Sequence, residues 1–135
     1  MKKVIVSAIV MQNGKTLFAR RADDGRYTPP GGKAESNESL EEAVARELLE
    51  ETGITAKKII FIGFEDLRNK VIFFYYIKEW EGEIVNREPH KHQDWEWKSY
   101  YPMDVVEGMI RFKKKLISTL EAIIINDRYK ARRIV

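Results

Sequence analysis

Glu47, Glu50 and Glu51 stand three and four residues apart, a spacing that places their carboxylates on one face of an α-helix within about 100° of arc. Like charges so placed cost an isolated helix about 0.2–0.5 kcal/mol per pair, so local stability gives no reason for the grouping. A bound cation would give one. Hard divalent ions such as magnesium take carboxylate oxygens and keep positions for water and phosphate oxygens. Arg46, directly before Glu47, can hold a carboxylate through a forked pair of hydrogen bonds. Ahead of this group lie Gly31, Gly32 and Lys33, which supply close backbone approach and a mobile positive charge. The arrangement is not a P-loop: Tyr27 stands where that pattern needs its first glycine and Ala34 where it needs serine or threonine,. Any phosphate would therefore be held through a metal. From charge alone, a solvated acidic helix is the competing reading.

These residues need a helix and a shaped loop. Ser39 is a good N-cap, Glu42 completes a capping box, and Gly53 stops the pattern, which predicts a helix over 40–52,. Asp23 to Lys33 holds three glycines and Pro29–Pro30 and reads as a fixed loop. Val4–Met11 and Thr16–Ala19, separated by Gln12–Lys15, read as a hairpin. Ile59–Phe64 and Val71–Ile77 read as strands, with Ile84 and Trp95–Trp97 as weaker candidates,. Past Pro102, Met109, Phe112, Leu116, Leu120 and Ile123 form one stripe of a second amphipathic helix,. Lys113–Lys115 reads as its solvated dressing, and the basic tail 126–135 as loosely held,.

The chain has 135 residues, 44% of them hydrophobic and 33% charged, enough for one domain and one core. With no cysteine it cannot use thiolates or disulfides, and a cytoplasmic setting is the expectation. The net charge is +3, but residues 35–51 carry seven acids and one arginine, which leaves +9 elsewhere. An acidic patch on a basic body suits a cation held between carboxylates and a polyanion. No apolar run approaches the roughly 20 residues of a membrane helix. The expected class is a soluble α/β (α+β) domain.

The run from Gly32, through Glu38, to Arg46-Glu47-Leu48-Leu49-Glu50-Glu51-Thr52-Gly53-Ile54 resembles a complete Nudix box spanning 32–54. The resemblance implies the family's α/β/α sandwich with a mixed sheet, and hydrolysis of a nucleoside diphosphate linked to another group, with magnesium or manganese as cofactor. It implies metal ligation by Glu47, Glu50, Glu51 and the Gly32 carbonyl, and it makes Glu47, oriented by Arg46, a general-base candidate. Glu38 fits the box either functionally or by tying down the loop before the helix. Lys33 and Arg21 are phosphate-contact candidates, and Arg21 reads equally well as surface. Trp80-Glu81-Gly82-Glu83, Glu88-Pro89-His90-Lys91 and Trp95-Glu96-Trp97 resemble the MutT-type, oxidised-nucleotide diphosphatase branch, in which Glu88 matches a further metal-binding glutamate. If Trp95 and Trp97 alternate on a strand, one enters the core and the other is free to border a base. Homodimers are common in the family, and a homodimer is the expectation carried over.

The reaction implied is conversion of a nucleoside triphosphate, oxidised or otherwise non-standard ones included, to monophosphate and pyrophosphate. ADP-ribose, a dinucleoside polyphosphate or another diphosphate is the alternative. The proline that marks many ADP-ribose hydrolases is absent, since that region reads Asn69-Lys70-Val71. Pro29 replaces a large apolar residue common in relatives, and no base-reading asparagine is evident after Pro102, so base preference stays open. His90, His92 and Asp94 alternate as strand ligands can, but lack a fourth partner and read as loop or surface residues. A non-catalytic nucleotide sensor, or a nucleic-acid binder using Lys113–Lys115, is the reading from another class; the full set of glutamates disfavours the first, and no base-reading surface supports the second.

Overall fold

The computed structural model describes residues 2–99 and 105–133. A four-stranded mixed sheet is ordered β5-β1-β7-β6, from β1 (Lys3–Ile9), β5 (Gly31–Lys33), β6 (Thr55–Asp66) and β7 (Lys70–Glu81). β1 runs parallel to β7 and antiparallel to β5, and β6 is antiparallel to β7. A smaller sheet joins β2 (Met11–Gln12), β3 (Lys15–Arg20) and β4 (Tyr27–Thr28), with β8 (Glu96–Lys98) paired to β3. The helices are α1 (Leu40–Thr52) and α2 (Glu107–Arg133).

Two cores flank the mixed sheet. Val6, Ala8, Tyr75 and Ile77 pack under Ala43, Val44 and Leu48 of α1. Ile9, Ile72 and Phe74 pack with Met109, Phe112, Leu116 and Leu120 of α2, where Phe74 and Phe112 stack at 4.5 Å. This is an α/β fold with mixed sheets and two helices.

Several expected elements differ. Only Met11–Gln12 forms the hairpin with β3, through Asn13 and Gly14 with φ of 53° and 75°. β1 instead enters the other sheet, because it is apolar on both faces and a two-strand hairpin would leave one of them wet. The loop 23–33 contains β4 and β5. Ile84 is not in a strand but packs against the α1 core. Trp95 precedes β8, and both Trp95 and Trp97 pack on that same core. α2 itself runs on into the basic tail as far as Arg133. Pro102, after which no base-reading asparagine is evident in the sequence, lies outside the described residues.

Candidate active site

Local chemistry sets the first end of α1. The Ser39 side chain accepts from the Glu42 amide, and the Glu42 side chain accepts from the Ser39 amide, so two free donors of the first turn are satisfied. Seven residues into the helix, Arg46 becomes a hub. Its Nε and Nη2 donate to Glu38 at 2.9 and 2.6 Å, Nη1 donates to Glu47 at 3.1 Å and to Glu50 at 3.3 Å, and Nη2 also reaches the Lys33 carbonyl at 3.2 Å. The fork expected of Arg46 thus closes on Glu38, while Nη1 alone serves Glu47 through one bond and both oxygens of Glu50 through longer ones. Glu38 also accepts from the Glu35 amide at 2.9 Å, and the Arg46 guanidinium holds its carboxyl down at about 2. The same cluster of carboxylates raises the Arg46 pKa, Glu38 foremost.

At the other end, Gly53 takes the left-handed conformation at φ 81° and its amide donates to the Leu49 carbonyl at 3.0 Å. No basic side chain lies in the last turn. The strap from Glu83 to Trp95, which follows β7, supplies what the helix lacks. The Val85 amide donates to Thr52 O at 2.9 Å, the Arg87 amide to Glu51 O at 3.1 Å, Arg87 Nη1 to Leu49 O at 3.2 Å and Trp95 Nε1 to Glu51 O at 3.3 Å. Free helix-end carbonyls need such donors, and a cation there also complements the helix dipole.

This strap brings Glu88 and His92 to Glu51. Glu51 is buried, with 3% of its side chain exposed. Burial pushes its carboxyl well up, and the adjoining, hydrogen-bonded Glu47 pushes it further. One oxygen accepts weakly from the Gly31 amide at 3.4 Å; the other, Oε2, is buried without a hydrogen bond and lies 3.6 Å from His92 Nε2. Glu88 Oε1 is also buried and unpartnered, while its Oε2 pairs with Lys91 at 3.0 Å. A Cβ on Gly32 would fall 2.6 Å from the Glu47 carboxylate, so only glycine lets that carboxylate lie against β5. His92 is buried, against the expectation of a surface histidine, and desolvation lowers its pKa.

A cleft of about 440 Å³ opens beside this group. Ile5, Ile72, Val106 and Pro29 give it apolar walls, Ser7, Thr28 and Lys70 add polar groups, and Arg21, Gly31, Gly32 and His92 line its glutamate side. Arg21 forks onto Asp23 at 2.9 and 2.6 Å, a pairing that holds the Asp23 carboxyl at about 2. Lys33 lines a different hollow with Lys2, Lys3, Glu38, Arg46 and Glu47. The structure therefore places Arg21, but not Lys33, on the cleft.

Glu47, Glu51, Glu88 and Gly32 come together; Glu50 turns outward, its side chain half exposed. Among the described residues, no three acidic or imidazole groups stand close enough to grip an ion as their side chains lie, as mutual repulsion between carboxylates dictates. Two orphaned buried carboxylate oxygens and a glycine cradle still form an all-oxygen donor set that fits a hard divalent cation,. The sequence gives no reason to place Arg87, or His92 and Trp95 in these roles, beside Glu51. The one available signal was the turn-rich stretch after β7, which had to return the chain to the exposed carbonyls of α1.

The sequence profile of the NUDIX domain matches residues 1–120. The chain belongs to the Nudix hydrolase family. This Nudix chain is 38% identical over 111 residues to an 8-oxo-dGTP diphosphatase of Escherichia coli K12, covering 73% of the chain and 82% of that relative. It is 36% identical over 98 residues to an 8-oxo-dGTP diphosphatase of Haemophilus influenzae, covering 64% and 72%. Its fold is similar to that of a MutT NUDIX hydrolase from Burkholderia pseudomallei, with TM-score 0.77, 25% identity, and 84% and 97% of the two chains covered. Nudix hydrolases are typically dependent on a divalent metal. No described helix of this one is long and apolar enough to cross a membrane.

Proposed function

We propose that this Nudix hydrolase converts nucleoside triphosphates, oxidised ones among them, to nucleoside monophosphate and pyrophosphate, with magnesium or manganese held by Glu47, Glu50, Glu51, Glu88 and the Gly32 carbonyl. The observation that carries the proposal is the continuity of the cleft: apolar walls at Ile5, Ile72 and Val106 lead to Arg21 and the Gly31–Gly32 backbone beside buried Glu51. One end suits a base, the other a polyphosphate. The two 8-oxo-dGTP diphosphatases to which the chain is similar support a triphosphate over other diphosphates.

A divalent cation, when bound, neutralises non-bridging phosphate oxygens and makes the attacking water more acidic. The rest falls to the protein. Arg46 holds Glu47 Oε1 at 3.1 Å, leaving Oε2 to accept the proton as the water oxygen bonds to phosphorus and the bond to the pyrophosphate oxygen breaks. Arg21 bears on the phosphate chain from the cleft mouth, and the apolar walls keep the base out of water.

A hydrolysis panel with magnesium and with chelator tests the proposal. We expect 8-oxo-dGTP or a standard nucleoside triphosphate to release pyrophosphate in magnesium and nothing in chelator. Release of phosphate instead, or preference for ADP-ribose or a dinucleoside polyphosphate, would overturn it.

A further inference from the structure

His92 and Glu51 are both buried and face each other, Nε2 toward Oε2, while His92 Nδ1 is buried without a hydrogen bond. Glu51 Oε2 has no hydrogen bond, and His92 Nε2 stands 3.6 Å from it, about 0.4 Å beyond the upper end of ordinary N–H···O distances. The imidazole is placed by its backbone. The His92 amide donates to Glu88 O at 3.1 Å, its carbonyl accepts from Asn86 Nδ2 at 2.8 Å, and its residue bridges to Arg21 at the end of β3. Its ring lies 5.2 Å from that of Trp95, whose Nε1 donates to the Glu51 carbonyl. The strap thus grips Glu51 by both main chain and side chain. Tautomer chemistry fixes the direction: the proton on Nε2 aims a donor at the carboxylate, whereas the proton on Nδ1 would aim a lone pair at it.

We propose that His92 is a positioning residue for Glu51, its Nε2–H directed at Oε2 so that the buried carboxylate is held oriented toward a bound divalent cation. The inference rests on the metal centre proposed above. Partners of this kind, standing behind a ligand, are commonly worth about 10–100-fold in metal affinity.

Manganese binding to the substrate-free protein, read from the electron paramagnetic resonance signal of free Mn²⁺, tests this without turnover. We expect Glu51→Gln to abolish tight binding and His92→Leu to weaken it by about tenfold or more. His92→Gln, whose amide nitrogen reaches about as far as Nε2, should restore most of it. Equal losses in His92→Leu and His92→Gln, or none in either while Glu51→Gln binds poorly, would overturn the role of His92 and leave the metal centre standing. Unchanged binding in Glu51→Gln would overturn the centre and the role of His92 with it. Circular dichroism spectra of the metal-free variants, expected to match that of the parent, separate lost positioning from lost structure.

Discussion

The two ends of α1 are held in opposite ways. The first is closed from within: Ser39 and Glu42 cap each other, and Glu38 is fixed by Arg46 only eight residues on. The second is closed from outside, by Arg87 and Trp95, which lie 38 and 44 residues from the carbonyls they cap. Stability alone needs only the local kind of closure. The distant kind also delivers Glu88 and His92 to Glu51, so the end of the helix that cannot finish itself is the end where the site is built.

The contrast is sharpest at Glu51. With Glu51 as the metal ligand proposed above, Glu51→Gln should lower metal-dependent turnover by more than about a hundredfold, since a ligand matters at least as much as its supporting partners. The same change should stabilise the metal-free protein. A raised carboxyl pKa means the folded state binds the proton more tightly than the unfolded one, so this contribution falls as pH climbs above the unfolded value of about 4.3. Melts of the metal-free parent should therefore rise as pH drops from 8 to 6, and Glu51→Gln should flatten that dependence.

Arg46→Ala strikes the other end. It strands Glu38 and Glu47, whose side chains are only 11% and 13% exposed. We expect a loss of about 2 kcal/mol in urea unfolding, below the about 3–5 of a fully buried pair because Arg46 is itself partly exposed. Its pH signature runs opposite to that of Glu51. Glu38 sits at about 2 in the fold, so its stabilisation is present above about pH 4.3 and is lost as pH falls toward 2; Arg46→Ala should remove that acid sensitivity.

A matched pair of small changes separates the ends most cleanly. Ser39→Ala removes the cap and Trp95→Phe removes one donor to Glu51 O, each costing about 1 kcal/mol in urea unfolding. Only Trp95→Phe should also weaken manganese binding. Equal effects on binding would erase the distinction between the two ends.

What could be read in the sequence follows the same division. Ser39, Glu42 and Gly53 announce the helix because caps act within a few residues, and the glutamate spacing announces a carboxylate face because the helical period is fixed. β1 reads as a hairpin strand because its partner, β7, lies 67 residues away, and nothing local distinguishes the two pairings. His92 reads as a loop or surface residue for the same reason. Its burial depends on the strap returning to α1, an outcome set by packing and not by neighbours in the chain.

The most direct test is a crystal structure with Mn²⁺ and a non-hydrolysable nucleoside triphosphate. We expect anomalous density for the ion within about 2.0–2.4 Å of oxygens from Glu47 and Glu51, with the polyphosphate against Gly31–Gly32 and the base between Ile5 and Ile72. An ion bound elsewhere, with Glu51 still facing Glu47 in the metal-free arrangement, would contradict it.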